Sequence, residues 1–347
     1  MAQDVTALPR VALGEWPTPL QEAKRLSELL GSRVLVKRED LSGLGAGGNK
    51  ARKLEYHLAQ ALAEQATHII TTGAAQSNHA HLTAAAARKL GLNVHLVLNG
   101  PEGVPFTSGN LLLDQILQAD VTFVEAPVGP VGQDFINKKM LEVAEGIAQA
   151  GGKAFIIPEG GTDALGTVGY ITALQELGSQ LEQLSPKVRR VLVAVAAGTC
   201  GTFAGLISGT LLASFPFDID ILGVSISGFS DLKRAKTVKL VNDALRLIGS
   251  GTSIRSEKIW LEDRFVGKGY AQMTEEGNEA IRITAQAEGI FLDPVYTGKA
   301  MAALIAKGRA GELSGYDAVV FVHTGGLPLL FHYGDDYIDH SSAKFTV

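Results

Sequence analysis

The sequence predicts an α/β fold with two parallel or mixed sheets flanked by helices. Strand-like runs alternate with helical patterns along the chain, which is typical of parallel sheets joined by right-handed crossovers. Several predicted strands, such as Val191–Ala196 and Ala318–His323, are almost entirely apolar, as expected for a sheet that is covered on both faces. At 347 residues the chain is too long for one small core, so we expect two lobes.

These patterns give the position of each predicted element. The predicted strands are Val34–Lys37, His68–Thr72, Val94–Leu98, Val121–Val124, Phe155–Pro158, Val191–Ala196, Ile221–Ser225 and Ala318–His323. The predicted helices are Lys50–Leu62, Asn78–Leu90, Asn110–Ala119, Asp134–Ala150, Leu165–Leu184, Thr202–Ala213, Asp231–Leu247, Thr274–Glu288 and Gly298–Ala310. The segment Gly249–Gly267 has weak periodicity and mixed charge, so we expect a connector or lid there.

The two lobes are predicted to be discontinuous in sequence. Residues 1–52 and 162–347 would form the larger domain, and residues 53–161 would form a smaller domain inserted into it. A ligand is then expected in the cleft between them, at the carboxyl ends of the strands.

Composition and charge argue against several classes of function. The formal net charge is -5 and no long block of Lys and Arg occurs, so nucleic acid is not expected as a partner. The single cysteine, Cys200, excludes a disulfide framework, and the histidines form no metal-binding pattern. No apolar run of about 18 residues is present to span a membrane, and the first residues lack a signal-peptide pattern. We therefore expect a cytoplasmic protein without a metal.

The first candidate site is a lysine at the start of a helix. Lys50 follows a glycine-rich loop, residues 43–48, where glycine lets a ligand approach the backbone closely. A lysine in a partly apolar site has a lowered pKa and becomes nucleophilic toward a carbonyl group. Lys53 shares a helix face with Lys50, and two cations near a helix start suit a phosphate. A solvated surface lysine is the alternative interpretation.

The second candidate site is the polar run Gln76–His79, which follows a predicted strand and opens a helix. Ser77 or Asn78 makes a good N-cap, which would by itself explain the run. In the functional interpretation, free backbone N–H groups, the Ser77 hydroxyl and the Asn78 amide face a carboxylate or phenolate oxygen. For His79 and His81 the alternative is an ordinary position on the helix surface.

The third candidate site is a run of small residues between the strand Val191–Ala196 and the next helix. Its members are Gly198, Thr199, Cys200, Gly201 and Thr202. Backbone N–H groups, hydroxyls and a helix N-terminus would converge there on one anion, as in a phosphate-binding loop. The spacing matches neither a P-loop nor the dinucleotide-binding glycine motif, and a tight turn is the alternative.

The fourth candidate site combines the segments Leu292–Lys299 and Phe321–Gly326, which we expect at the same edge of the larger sheet. Tyr296 is suited to stack on a planar ring or to carry a proton. Thr324 is suited to hydrogen-bond a ring nitrogen. Simple packing of Tyr296 is the alternative.

Together these motifs resemble those of fold type II pyridoxal-phosphate enzymes, whose fold is tryptophan synthase β-like. Within them they are similar to the group of D-cysteine desulfhydrase and 1-aminocyclopropane-1-carboxylate deaminase. The resemblance is carried by Gly47–Glu55 and Gln76–His79, and it extends from Pro17–Leu20 to Thr324–Gly326. It implies pyridoxal 5'-phosphate as the cofactor, a small amino acid as the substrate, a carbon–sulfur lyase activity and a homodimer.

The resemblance also implies a role for each motif residue. Lys50 would hold the cofactor as a Schiff base, Asn78 would bind its ring hydroxyl, and Thr324 would meet its pyridine nitrogen. The phosphate would be held by Gly198, Thr199, Cys200, Gly201 and Thr202, helped by Lys53. The substrate would be surrounded by Ser77, Asn78, His79, Tyr270, Tyr296 and Thr297. The catalytic groups would be Lys50, Ser77, Tyr270 and Tyr296.

Two positions favour one branch of this group. The deaminase pattern has Gln after Ser-Asn and Glu after the tyrosine, whereas this chain has His79 and Thr297, as in the desulfhydrase branch. His81 departs from the Arg expected in many desulfhydrase-like chains. The resemblance therefore predicts α,β-elimination on a cysteine-like amino acid, with D-cysteine giving pyruvate, hydrogen sulfide and ammonia.

Several alternatives stay open. Within the same chemistry they are L-cysteate sulfo-lyase, 1-aminocyclopropane-1-carboxylate deaminase, and a dehydratase or racemase that acts on hydroxyamino acids. The alternative of a different class is a non-catalytic protein that binds a phosphate or nucleotide through the loop 198–202, with Lys50 as a phosphate contact only.

Overall fold

The computed structural model describes residues 5–103, 107–127, 129–184, 186–228 and 230–337. The strands in these ranges are β1 (Leu20–Glu22), β2 (Val34–Lys37), β3 (His68–Ala74), β4 (Asn93–Asn99), β5 (Asp120–Val124), β6 (Ala154–Ile156), β7 (Arg190–Ala197), β8 (Asp218–Ser225), β9 (Trp260–Glu262) and β10 (Ala318–Val322). The α-helices are α1 (Lys24–Leu30), α2 (Lys50–Ala63), α3 (Asn78–Lys89), α4 (Gly109–Ile116), α5 (Pro130–Gln149), α6 (Ala164–Glu182), α7 (Gly201–Leu212), α8 (Ser230–Leu247), α9 (Glu275–Glu288), α10 (Thr297–Arg309) and α11 (Leu327–His332).

The strands form two sheets. The larger sheet has the order β1-β2-β10-β7-β8-β9, in which β1 is antiparallel to β2 and the other neighbours are parallel. The smaller sheet has the order β5-β4-β3-β6 and is parallel throughout. This confirms the predicted α/β class with two parallel or mixed sheets flanked by helices.

The central strands are buried on both faces, as their apolar runs predict. In β7, Val191, Val193 and Val195 pack into one core cluster, while Leu192 and Ala194 pack into another on the opposite face. The alternation follows from the two-residue period of a strand. Because both faces of this strand are covered, a ligand can reach it only at its ends, and in parallel sheets ligands bind at the carboxyl end.

Four elements were missed, and each is short. The strands β1 and β9 have three residues each, too few to show a period. The strand β9 lies within Gly249–Gly267 and pairs with β8, so the prediction of a connector or lid was wrong for that part. The helices α1 and α11 have seven and six residues. The predicted boundaries of the other elements lie within four residues of the observed ones.

The helix α2 contacts helices of both predicted lobes. The strands of the smaller sheet lie between His68 and Ile156, and the larger sheet takes its strands from both sides of that segment. The helix α2 contacts α3 on one side and α6 on the other. The division into residues 53–161 and the rest stays a prediction, because its first boundary falls inside this helix.

Candidate active site

The loop that precedes α2 contacts the loops at the carboxyl ends of β7 and β10. The backbone N–H of Asn49 donates to the Thr324 carbonyl at 3.1 Å. The Asn49 side-chain amide donates to Thr202 Oγ1 at 2.8 Å. Gly48 also forms an isolated bridge with Gly325. Three of the four candidate segments therefore meet at the start of α2.

Lys50 is half-buried at the first position of α2. Its Nζ donates to the Gly160 carbonyl at 3.4 Å. Burial lowers the pKa of Lys50 to about 8; the Glu159 carboxylate opposes this and Lys236 adds to it. At pH 7 roughly one Lys50 amine in ten is then the free base, which is the form that attacks an aldehyde.

Lys53 is fully buried and has only neutral partners. Its Nζ donates to the Gly160 carbonyl and to Thr162 Oγ1, both at 3.1 Å. Within the described residues it forms no ion pair. Burial, followed by the neighbouring charge of Lys50, lowers its pKa well below the usual value. Because a buried ammonium without a counter-ion is unfavourable, this position is suited to a bound anion.

The loop after β7 has the shape of an anion cradle around that amine. A Cβ atom on Gly201 would lie 2.5 Å from Lys53 Nζ, so a side chain at this position would displace the amine from the start of α7. The hydroxyls of Thr199 and Thr162 share a hydrogen bond of 2.6 Å. Lys233, which the sequence analysis did not name, donates to the Gly198 carbonyl at 2.5 Å and holds the loop from behind.

The run Gln76–His79 opens α3 as predicted. Ser77 is the N-cap, and its Oγ accepts the Ala80 N–H at 3.2 Å. Asn78 is half-buried, and its Oδ1 accepts from the amide of Asn110 at 2.7 Å. The Asn78 amino group is not part of that bond. It makes no other hydrogen bond within the described residues, so it is free to meet a ligand.

His79 is buried away from solvent. Its Nε2 lies 2.7 Å from Thr71 Oγ1, and its Nδ1 lies 3.5 Å from Thr83 Oγ1. Burial, and then the charges of Lys50 and Lys53, lower its pKa well below the usual value, so the ring is neutral. Both ring nitrogens have partners within the protein. The role of His79 in substrate binding stays a prediction.

Tyr270 and Tyr296 form a pair near the loop after β7. Their hydroxyl oxygens are 2.5 Å apart, and their rings meet edge to face with centroids separated by 6.0 Å. A Cβ atom on Gly198 would lie 3.6 Å from the Tyr296 ring. Burial of the hydroxyl end raises the pKa of Tyr270 to about 12, and burial also raises that of Tyr296. The pair therefore holds its protons at neutral pH.

Asp293 fixes the turn that carries Tyr296. This carboxylate is fully buried and accepts the N–H groups of Val295 at 2.8 Å and Tyr296 at 2.7 Å. Thr297 Oγ1 donates to the same carboxylate at 2.6 Å. The Thr297 hydroxyl is thus engaged inside the turn, and its contact with a substrate stays a prediction.

Thr324 follows β10 and is nearly buried. Its carbonyl holds Asn49, whereas its hydroxyl makes no hydrogen bond within the described part of the chain. That free hydroxyl agrees with the role that the sequence analysis assigns to it.

Comparison with known proteins gives the family. The profile described as "Pyridoxal-phosphate dependent enzyme" matches residues 11–325. The chain belongs to this family.

Similar members of the family have known names. A protein of Pyrococcus horikoshii named "Putative 1-aminocyclopropane-1-carboxylate deaminase" is 42% identical over 328 residues, covering 94% of each chain. A D-cysteine desulfhydrase of Yersinia pestis is 36% identical over 337 residues, covering 96% of this chain and 98% of that one. The solved structure titled "Crystal Structure Analysis of the ACC deaminase homologue" superposes with a TM-score of 0.84 at 39% identity, covering 96% of each chain.

The residues of this pyridoxal-phosphate enzyme fit its cofactor. The buried amine of Lys53 and the small residues 198–202 provide a positive charge and close backbone approach for a phosphate. The Lys50 amine, half-buried and with its pKa lowered, suits an aldehyde. In the described ranges, no group of three or more His, Cys, Asp or Glu side chains could hold a metal ion. No helix in those ranges is long and apolar enough to cross a membrane.

Several contacts of the site were missed because they join distant parts of the chain. Gly160 and Thr162 reach the two lysines across more than 100 residues of sequence. The pair Gly160-Gly161 after β6 is the signal that would have indicated a close approach. Asn110 and Lys233 carry no such signal, since each lies in an ordinary helical pattern.

Proposed function

We propose that this enzyme catalyses α,β-elimination on a cysteine-like amino acid, with D-cysteine as the favoured substrate. The observation that carries the proposal is the pair of lysines on α2. Lys50 has a pKa of about 8 and lies one turn from Lys53, which is buried without a counter-ion. One amine suits an aldehyde and the other suits a phosphate, and pyridoxal phosphate has both groups on one ring.

The cofactor contacts follow from this arrangement. Lys53 and the loop 198–202 would hold the phosphate, Asn78 the ring hydroxyl and Thr324 the pyridine nitrogen. When bound, the cofactor draws electrons from the Cα atom of the substrate and so makes the Cα proton acidic. The Thr324 hydroxyl is neutral and would stabilise a protonated pyridine ring poorly. That property favours prompt loss of a leaving group from Cβ.

The remaining steps are proton transfers by this chain. The Lys50 amine would accept the Cα proton, because its lowered pKa leaves a free base near neutral pH. The carbon–sulfur bond then breaks with its electron pair on sulfur, and a thiolate is a competent leaving group since its conjugate acid has a pKa of ~8.5. The paired hydroxyls of Tyr270 and Tyr296 would supply a proton beside the departing group. Hydrolysis of the three-carbon fragment gives pyruvate and ammonia.

The choice of D-cysteine is supported by two residues and one relative. His79 and Thr297 stand where the deaminase pattern has Gln and Glu, and the Yersinia pestis relative is named D-cysteine desulfhydrase. Thr297 has no carboxylate, and its hydroxyl is engaged with Asp293. A proton transfer that needs an acidic group after the tyrosine is therefore not supported.

The test is a turnover screen with D-cysteine, L-cysteine, L-cysteate, D-serine and 1-aminocyclopropane-1-carboxylate. We expect pyruvate and sulfide from D-cysteine at the highest kcat/KM, and no activity in the Lys50→Ala variant. Sulfite from L-cysteate as the main product would move the enzyme to the sulfo-lyase class. Faster turnover of D-serine would indicate a dehydratase.

The second candidate is 1-aminocyclopropane-1-carboxylate deaminase, which the name of the Pyrococcus horikoshii relative favours. Its product is 2-oxobutanoate, which the same screen detects. A colourless protein that binds a nucleotide, and takes up no pyridoxal phosphate, would instead favour a non-catalytic binding role.

We also propose a cytoplasmic homodimer, without nucleic acid as a partner. Large apolar side chains that are mostly exposed, such as Ile116 and Phe331, support a second copy of the chain. The buried, unpaired thiol of Cys200 is compatible with a reducing compartment. Light scattering coupled to gel filtration should give twice the chain mass of 36.6 kDa, and a monomer at all concentrations would contradict this proposal.

A further inference from the structure

Asn110 is a fully buried amide that binds the turn Gln76–Asn78 through three hydrogen bonds. Its Nδ2 donates to the Gln76 carbonyl at 2.9 Å and to Asn78 Oδ1 at 2.7 Å. Its backbone N–H donates to Gln76 Oε1 at 2.7 Å. Asn110 lies at the second position of α4, so this helix holds the residues that open α3.

The Gln76 carbonyl determines how the two side-chain amides are oriented. A backbone carbonyl only accepts, so the nitrogen end of the Asn110 amide must face it. The same nitrogen faces Asn78, and Asn78 must therefore present its oxygen to Asn110. The Asn78 amino group is then on the side of its amide that faces away from Asn110. This orientation follows from the donor and acceptor pattern alone.

We propose that Asn110 is a positioning residue that makes Asn78 a donor to the ring oxygen of the cofactor. The inference rests on the proposed contact between Asn78 and that oxygen. A deprotonated ring oxygen accepts hydrogen bonds and cannot donate one. If the Asn78 amide turned by 180°, it would present its own oxygen, and two acceptors would face each other.

Stability of the fold explains only part of the role of this amide, namely its bond to the Gln76 carbonyl. The Oδ1 atom of Asn110 is buried and has no hydrogen-bond partner in the described structure. An unpartnered buried carbonyl oxygen is unfavourable, and an apolar side chain of similar size would avoid it. The amide is accounted for by its two donated bonds, one of which ends on Asn78.

The test compares Asn110→Asp, Asn110→Ala and Asn78→Ala, with Asn137→Asp as the control. Asn137 is an exposed residue of α5 whose one side-chain hydrogen bond among the described residues is accepted from Gln133, so its substitution repeats the chemical change on the surface. Two quantities are measured for each folded variant loaded with pyridoxal phosphate. One is the cofactor dissociation constant, and the other is the pH midpoint of the visible absorption change. Far-UV circular dichroism checks the fold.

We expect Asn110→Asp to have the larger effect of the two variants at this position. A carboxylate cannot donate, so Asn78 would turn its amino group toward it and present oxygen to the cofactor. The dissociation constant should rise about tenfold or more. The pH midpoint should rise by about one unit, because a ring oxygen that loses its donor is more basic. Asn110→Ala should have a smaller effect in the same direction, and Asn137→Asp should have none.

A double variant separates positioning from a general structural role. If Asn110 acts through Asn78, then adding Asn110→Ala to Asn78→Ala shifts neither the midpoint nor the dissociation constant further. Additive shifts would overturn the proposal. An unchanged midpoint in both Asn110 variants, with a shifted one in Asn78→Ala, would overturn it and leave the proposed function intact. An unchanged midpoint in Asn78→Ala would overturn the contact on which it rests, and a parent protein that binds no pyridoxal phosphate would overturn the proposed function as well.

Discussion

Arg52 and Lys53 are neighbours on α2, and both are buried cations, yet their surroundings are opposite. Arg52 donates to both oxygens of Glu39, at 2.6 and 2.9 Å, and to Glu176 Oε1 at 2.8 Å. Lys53 contacts only a carbonyl and a hydroxyl. Successive residues of a helix point about 100° apart, so one reaches the Glu39 side of the helix and the other reaches the loop after β6.

The difference separates a structural charge from a ligand-binding one. Burial alone would raise the pKa of Glu39, but the charge and hydrogen bonds of Arg52, together with the Thr18 hydrogen bond and the charge of Lys37, outweigh it and lower that pKa. Tyr170 and Thr18 complete the hydrogen bonds of that carboxylate, at 2.8 and 2.6 Å. Every charge of this cluster has its counter-charge inside the protein. The Lys53 amine has no counter-charge within the described residues, and we propose that the cofactor phosphate supplies it.

The largest expected change in stability comes from removing the paired charge of Arg52. Arg52→Met leaves the buried carboxylate of Glu39 without its ion-pair partner, whereas Glu176 keeps Lys37, and it should lower the free energy of unfolding by about 3–5 kcal/mol. Urea denaturation of the cofactor-free protein measures this change. Arg52→Lys serves as the control that keeps the charge but not the paired geometry, and it should fall in between. A loss of unfolding free energy below about 1 kcal/mol for Arg52→Met would contradict a structural role for Arg52.

The next effect concerns the unpaired charge. Lys53→Met should leave the unfolding free energy of the cofactor-free protein unchanged or higher, because a buried ammonium without a counter-ion is removed. Affinity for pyridoxal phosphate should fall on the order of 100-fold, since charge-assisted hydrogen bonds to the phosphate are lost. Fluorescence titration with the cofactor measures the affinity. If Lys53→Met were as unstable as Arg52→Met, Lys53 and Arg52 would have the same structural role, which would contradict the comparison.

A third buried ionisable side chain has no hydrogen-bond partner within the described part of the chain. Asp114 is almost completely buried, its two side-chain oxygens have no hydrogen-bond partner among the described residues, and the His81 ring lies 3.9 Å from one of them. Burial raises the pKa of Asp114 to about 8 and lowers that of His81 to about 4. Between these two values both groups are neutral in the folded protein. At position 81 the chain has His81 in place of the Arg that the family resemblance predicts. An arginine there would have supplied a permanent positive charge beside Asp114.

This position predicts a pH dependence of stability. The folded state keeps the Asp114 proton up to pH ~8, whereas the unfolded state loses it near pH ~4, so rising pH between those values lowers the unfolding free energy. Asp114→Asn removes this dependence. Its gain in unfolding free energy should be about 4 kcal/mol larger at pH 9 than at pH 5, because over most of that interval the unfolded state has lost the proton that the folded state keeps. Urea denaturation at the two pH values checks this, and an equal effect at both would contradict the raised pKa.

The smallest effect is expected from loss of the neutral hydrogen bond between the Asn49 side chain, just before α2, and Thr202 in α7. Thr202→Val removes the partner of the Asn49 amide and should lower the unfolding free energy by about 0.5–1.5 kcal/mol. The change in volume is small, so packing of α7 should be kept. Urea denaturation again measures the change. Thr210→Val, at a half-buried position later in the same helix, is the control for losing a hydroxyl that bonds only within the helix, since Thr210 Oγ1 donates to the Ile207 carbonyl at 2.8 Å.

The part of this account that the sequence could predict is the part encoded locally. The apolar runs of β7 and β10 indicated a sheet that is covered on both faces, and the polar runs around Lys50 and Ser77 indicated helix starts with ligand-binding groups. The partners of those groups could not be predicted in this way. Whether Lys53 meets a carboxylate or a carbonyl depends on the loop at Gly160, 107 residues further along the chain. Short elements such as β9 were missed because three residues show no period.

The central claim is that the amine of Lys50 holds the aldehyde of the cofactor. Borohydride reduction of the protein loaded with pyridoxal phosphate, followed by proteolysis and mass spectrometry, tests it directly. We predict one reduced adduct, on the peptide that contains Lys50, and its loss in the Lys50→Ala variant. An adduct on Lys53, on Lys233 or on a surface lysine, with Lys50 unmodified, would contradict the claim.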